Sequence, residues 1–179
     1  MSSRGSLAVG ERVYLRRIRA SDRDEFLERA CASSALHQPW TDPPPTPEEF
    51  DVVLRRGRGR SEERLLVCRN DDGAILGQFT LSQIFYGPFR NAYLGYYVFV
   101  PFARQGYMRE GLPLVLSHAF DTLALHRIQA NIQPGNAPSV ALVRGAGFTK
   151  EGFSRRYLII DDEWRDHEQW ALLAEDRTG

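Results

Sequence analysis

The chain has 179 residues, 42% hydrophobic and 26% charged, with 23 Lys and Arg balancing 23 Asp and Glu. That is ordinary globular composition, long enough for one domain over residues 1–179 with a sizeable core. Zero net charge gives no global pull toward nucleic acid, and the longest apolar runs, such as Leu94 to Phe102, fall far short of a membrane span. Residues 1–10 have no apolar signal region and are expected to be a flexible N-terminus. The protein is therefore expected in the cytoplasm, with no membrane and no direct nucleic-acid partner, as a monomer or homodimer. Cys31 and Cys68 form neither a CxxC nor a metal-ligand cluster and read as small apolar side chains, so no metal is expected.

Arg12 to Ile18 alternates around Val13 and Leu15 and reads as a first strand after Gly10. Ser21-Asp22-Arg23-Asp24 resembles a capping box, the Ser21 hydroxyl taking the Asp24 N–H, and a helix follows with Phe26, Leu27 and Ala30 on one face. Thr46-Pro47-Glu48-Glu49 repeats the device, with Thr46 as N-cap, Pro47 at the first helical position and Glu49 reaching back. It opens a second helix to about Arg56. Between the two, His37 to Pro45 is too rich in proline for regular structure. Five arginines fall within Arg55 to Arg64 and read as a solvated loop, with contact to coenzyme phosphate or ribosomal RNA as the alternative.

Leu65 to Arg69 and Ile75 to Ile84 read as strands joined by the Asn70-Asp71-Asp72-Gly73 turn. Ala92 to Val100 is a third β run, stopped by Pro101. From Tyr107 to Leu125 the residues Leu112, Leu116, Ala119, Phe120 and Leu123 recur at helical spacing, although Pro113 should loosen the early turn. Arg127 to Ile132 alternates again, Asn136 can cap a helix through Arg144, and strands near Phe153 to Ile160 and His167 to Leu173 follow. This order implies an α/β (α+β) domain with a mostly antiparallel sheet.

The stretch from Tyr97 to Glu110 joins a strand, a basic loop containing Gly106, and the start of a helix. Unpaired N–H groups at a helix N-terminus favour anions, and Arg104 and Arg109 could add charge-assisted bonds to a pyrophosphate. A single glycine at such a turn equally suits an ordinary tight turn.

Arg104-Gln105-Gly106-Tyr107-Met108-Arg109-Glu110, followed by Asn131-Ile132-Gln133-Pro134-Gly135-Asn136-Ala137-Pro138-Ser139 and Gly145-Ala146-Gly147-Phe148, resembles the GCN5-related N-acetyltransferase family. Within it the chain is most similar to the RimJ/RimL-like branch of ribosomal-protein N-terminal alanine acetyltransferases, and Leu15 to Asp22 and Trp164 to His167 fit that branch too. The resemblance implies a splayed, mostly antiparallel mixed sheet of about seven strands flanked by about four helices. It also implies acetyl transfer from acetyl-coenzyme A, as co-substrate, to a protein or peptide N-terminus or a small amine. A non-catalytic acyl-coenzyme A-binding module is the third reading.

Under that resemblance the pantetheine arm would pair with backbone at Val98, Phe99 and Val100, and the pyrophosphate would meet Arg104, Gln105, Gly106, Tyr107, Met108 and Arg109. Asn131, Asn136 and Ser139 complete the expected cofactor set. The backbone N–H of Val98 would stabilise the oxyanion. The family often places a proton-donating tyrosine where this chain has Val143, so Ser139, one turn earlier, is the expected donor. Its alternative role is to help cap the helix begun at Asn136. Glu168 is taken as a candidate base, with His167 and His37 as alternatives, whereas His118 and His126 read as structural. The sequence departs from the family at Ala103, where Gln or Arg is usual, and at Met108, where a small residue is usual.

Overall fold

The computed structural model describes residues 5–177. Its frame is an eight-stranded sheet in the order β1-β2-β3-β4-β5-β6-β8-β7. The strands are β1 Ser6–Val9, β2 Val13–Arg17, β3 Glu63–Arg69, β4 Ile75–Phe85, β5 Asn91–Val98, β6 Arg127–Ile132, β7 Thr149–Ile160 and β8 Glu163–Leu173. Neighbours are antiparallel except β5 and β6, which run parallel. Five α-helices accompany them: α1 Arg23–Ala32, α2 Ser34–His37, α3 Pro47–Arg56, α4 Tyr107–Ser117 and α5 Ala137–Gly145.

Strand alternation divides the core between two faces. Leu15 and Val67 are cross-strand partners on the face that receives α4, where Gly111 lets the helix approach Val67 and Phe79. On the opposite face α1 and α3 meet at Phe26 and Phe50, ring centroids 5.3 Å apart, and Phe26 also packs edge-on against Phe99 at 5.5 Å. All of these apolar side chains are fully buried.

The local signals for α3 and α5 hold in the structure. Thr46 Oγ1 accepts the Glu49 N–H at 3.3 Å, and Asn136 Oδ1 accepts the Ser139 N–H at 3.2 Å. Three expectations are corrected. The expected flexible N-terminus, of which residues 1–4 lie outside the described residues, contains an edge strand, β1; its four residues and its bulge leave no alternation to read. The turn before α1 is closed by Asp22 rather than Ser21, because the Asp22 carboxylate accepts the Arg19 N–H at 2.7 Å while Arg16 grips it at 2.7 and 2.9 Å. The long helix changes form at Ser117 and continues as a wider turn over His118–Thr122, where the Leu123 N–H reaches the His118 carbonyl.

Candidate active site

β5 and β6 pair only where they begin, at Asn91↔Arg127, Ala92↔Ile128 and Tyr93↔Gln129. Beyond Tyr93 each strand follows its antiparallel partner instead. β5 stays with β4 as far as Gly77↔Val98, and β6 stays with β8 as far as Ile132↔Glu168. The sheet therefore parts, and a cleft of about 730 Å³ opens between residues 94–98 and 131–132. The Phe99 N–H donates back to Leu76 at 2.9 Å. Because bonding direction alternates along a strand, the N–H and C=O groups of Val98 and Tyr96 face the opened side. A Cβ on Gly77 would run into the Tyr97 carbonyl oxygen and lie 3.0 Å from Met108 Sδ, so glycine is what lets β4, β5 and α4 meet behind Val98.

At one end of the cleft Gly106 begins α4 with φ 81°, and Arg104 is also left-handed at φ 61°. The Glu110 N–H to Gly106 C=O bond, 3.0 Å, is the first of the helix. The N–H groups of Tyr107, Met108 and Arg109 precede it and have no acceptor within the helix, which makes this end electropositive. Arg104, Gly106, Tyr107, Met108 and Arg109 all line the cleft there. The loop is held from behind by Glu110, whose carboxylate accepts the Arg12 N–H at 2.6 Å, the Val13 N–H at 3.3 Å and the Arg12 Nε–H at 2.9 Å. Arg12 Nη1 in turn donates to the Gln105 carbonyl at 3.2 Å. Burial pushes the Glu110 carboxyl up, but these bonds outweigh it and hold it below its ordinary range.

Midway along the cleft, Ser139 in the first turn of α5 faces Tyr96 on β5. Their hydroxyls lie 2.6 Å apart, and the Tyr96 hydroxyl is also 3.1 Å from the Ser139 carbonyl. Burial pushes the Tyr96 phenol up to about 12, so it stays protonated at neutral pH. On the far wall His37 Nε2 is 2.8 Å from the Val98 carbonyl. A carbonyl only accepts, so Nε2 carries the proton and Nδ1 is a lone pair, buried without a partner. Desolvation lowers the His37 pKa despite its bond to Val98 and the charge of Asp42, which keeps the ring neutral. The proline-rich segment closes this side: Gln133 Nε2 donates to the Pro39 carbonyl at 2.9 Å, and the Trp40 ring packs over Gly135.

A family model described as an acetyltransferase (GNAT) domain matches residues 12–149, most of the chain. The chain belongs to this acetyltransferase family. It is 37% identical over 105 residues to "Probable N-acetyltransferase YjcK" of Bacillus subtilis, covering 59% of this chain and 58% of that one. It is 38% identical over 108 residues to the ribosomal protein uS5-alanine N-acetyltransferase of Escherichia coli, covering 60% and 56%. The chain thus spans a little over half the length of these curated relatives. Among solved structures, Mycobacterium smegmatis RimJ in complex with CoA-disulfide superposes with a TM-score of 0.83 at 29% identity, covering 91% of this chain and 82% of that one.

Of the residues that the GNAT resemblance singles out, the cleft brings together Val98, Arg104, Gly106, Tyr107, Met108, Arg109, Asn131, Asn136 and Ser139. Four others lie elsewhere. The Phe99 ring is fully buried against Phe26, Tyr97 and His37, the Val100 N–H is occupied by Ser33 Oγ at 2.9 Å, and Gln105 Nε2 bonds the Pro101 carbonyl at 2.7 Å. The Glu168 carboxylate is ion-paired with Lys150 and accepts the Trp170 indole N–H at 2.9 Å, off the cleft. Those bonds, the one from Lys150 first, hold its pKa below the ordinary range. His167 is buried on β8, its Nδ1–H directed to the Arg165 carbonyl at 3.0 Å. Val143, where many GNAT members carry a tyrosine, is a fully buried core residue. Sequence reading passed over Tyr96, although it stands two residues before Val98 and alternation puts the two on one face of β5.

Proposed function

We propose that this chain transfers the acetyl group of acetyl-coenzyme A to a primary amine by direct attack in a ternary complex, and that the amine is the N-terminal α-amine of a protein or peptide of the ribosomal-protein-alanine type. The observation that carries the reading is the parted β5–β6 pair, with the N–H groups of a helix start at one end of the opening and a hydroxyl pair on its wall. In this reading the N–H groups of Tyr107, Met108 and Arg109 and the guanidinium groups of Arg104 and Arg109 hold the pyrophosphate. The Val98 N–H, turned to the cleft, stabilises the oxyanion formed when the amine attacks the thioester carbonyl. As the C–S bond breaks, the Ser139 hydroxyl gives its proton to the sulfur.

An α-amine has a reference pKa of about 7.7 to 8.0, against about 10.4 for lysine, so at neutral pH it is unprotonated roughly 250-fold more often. Such an acceptor needs no strong base, and the placement of Glu168 off the cleft fits that. None of the described residues lining the cleft is Asp or Glu, which disfavours polyamines and other polycations. Likeness to the uS5-alanine N-acetyltransferase of Escherichia coli supports this acceptor class. The working compartment in this reading is the cytoplasm, where the free thiols of Cys31 and Cys68 stay reduced.

The test is coenzyme A release over a panel of short peptides differing in their first residue, the same peptides N-terminally blocked, and small amines including spermidine and aminoglycosides. Turnover with free α-amines alone is expected. Turnover confined to small amines would replace the acceptor assignment, and tight acetyl-coenzyme A binding with no turnover on any acceptor would leave only a binding module.

A further inference from the structure

At the end of β5 away from the cleft, two segments without a single acidic residue come together. One is residues 52–61, the last turns of α3 and the loop after it, which present exposed Arg55, Arg56, Arg58 and Arg60. The other is residues 83–90, the β4–β5 turn, with exposed Phe85, Tyr86, Phe89 and Arg90. The Ser61 carbonyl accepts the Ile84 N–H at 2.9 Å, joining the two, and the Arg60 guanidinium lies over the Tyr86 ring at 5.8 Å. Among the described residues these five arginines have no carboxylate partner. The two acids that follow Ser61 in the chain are committed elsewhere, Glu62 to Arg64, and Glu63 to Arg17 and His118.

The aromatic side chains are as unusual as the charge. Phe85, Tyr86 and Phe89 are 47%, 46% and 56% exposed, and the Phe85 and Phe89 rings stand 5.6 Å apart. Burying none of them against the core leaves three π-faces in water, interleaved with cations on a chain of zero net charge. Arginine at the C-terminal end of a helix is favoured by the helix dipole, which accounts for Arg55 and Arg56. It accounts neither for Arg58, Arg60 and Arg90 nor for the rings.

We infer that this end of the molecule is a docking surface for single-stranded or looped RNA, with phosphates on the arginines and bases stacked on Phe85, Tyr86 and Phe89. A polyanion is what five unpaired cations complement. Unstacked bases are the polyanion-borne groups with flat faces to offer these rings and guanidinium planes. An acidic peptide would satisfy the arginines and leave the rings unused. The choice of RNA over single-stranded DNA rests on the proposed ribosomal acceptor; the binding itself does not, and it is measured without acetyl-coenzyme A or acceptor.

The experiment is fluorescence anisotropy of the full chain with an unstructured RNA of about 12 nucleotides, titrated between about 50 and 200 mM salt. Binding should weaken with salt by about 0.7 log units per log unit of salt for each phosphate contacted. Replacing Arg55, Arg56, Arg58 and Arg60 with alanine should flatten that dependence by about 2 to 3. The pair Phe85→Ala and Phe89→Ala should weaken binding about ten-fold or more with the salt slope kept. Both variants should stay folded, the arginine variant melting slightly lower for the lost helix-end contacts of Arg55 and Arg56, and both should keep the wild-type rate on a short peptide. The inference is overturned by no RNA binding at the lowest salt or by full binding in the arginine variant. Polyglutamate binding as tight as RNA, with inert Phe85 and Phe89 substitutions, would assign the surface to acidic polypeptides. Equal affinity for DNA of the same sequence would remove the commitment to RNA.

Discussion

The Tyr96 hydroxyl lies 2.6 Å from the Ser139 hydroxyl and 3.1 Å from the Ser139 carbonyl, so a single phenolic proton can be given to either oxygen. When it goes to Oγ, the serine proton is released from the pair and can point into the cleft. When it goes to the carbonyl, the serine must donate to the phenol and is not free. Tyr96 is thus a positioning residue for Ser139. Ser139→Ala is expected to lower the single-turnover rate by about 10² to 10³ with little change in acetyl-coenzyme A affinity. Tyr96→Phe should cost less, about ten-fold, and the double variant should be no slower than Ser139→Ala, because the two act as a unit. Independent, multiplying losses would separate them. A lower melting temperature with a normal rate in Ser139→Ala would make the serine only part of the helix cap.

Gly106 holds φ 81° at the start of α4, where an added side chain would be strained as well as badly placed. Gly106→Glu should fold, since the residue is exposed, yet lose acetyl-coenzyme A binding because a carboxylate would sit among the N–H groups of Tyr107 to Arg109. Calorimetry on the folded variant checks this. Affinity equal to wild type would remove the phosphate role from this loop.

The Glu168 ion pair with Lys150 ties β8 to β7, and with the Trp170 indole bond within β8 it engages both carboxylate oxygens away from an incoming amine. Glu168→Gln should therefore keep the wild-type rate within about two-fold and lower stability by about 1 kcal/mol through the weakened pair. A rate loss of 10² or more, the usual worth of a lost general base, would put Glu168 back in the chemistry.

The elements that sequence reading located rest on contacts between near neighbours in the chain. Thr46 and Asn136 each bond an N–H three residues on, and Thr46 has Pro47 behind it, so both helix starts are written locally. The local sequence points to Ser21 as the cap before α1, but the turn is closed by Asp22 because Arg16, on another element, locks the Asp22 carboxylate in place. The electropositive end of the cleft was legible because glycine, arginine and a helix start are consecutive. The hydroxyl pair and the His37 to Val98 bond span 43 and 61 residues and exist only because β5 and β6 part after Tyr93. No local spacing records where two strands cease to pair.

His37 carries the last expectation, through its burial. Desolvation holds both His37 and His167 below the ordinary histidine pKa of about 6.5, so the folded protein keeps both rings neutral. In the unfolded chain the same residues take up protons near 6.5. The unfolded state therefore binds more protons between the depressed folded values and 6.5, and stability must fall as pH drops through that window. Each ring contributes a slope of at most about 1.4 kcal/mol per pH unit. His37→Gln keeps an N–H that can reach the Val98 carbonyl and removes one titrating group, so its stability should decline less steeply than wild type from pH 7 to 5. Its rate at pH 7 should stay close to wild type, whereas His37→Phe, with no donor for Val98, should lose activity at every pH. Urea unfolding at a series of pH values gives the comparison. Parallel curves for wild type and His37→Gln would mean that His37 is not held neutral in the fold.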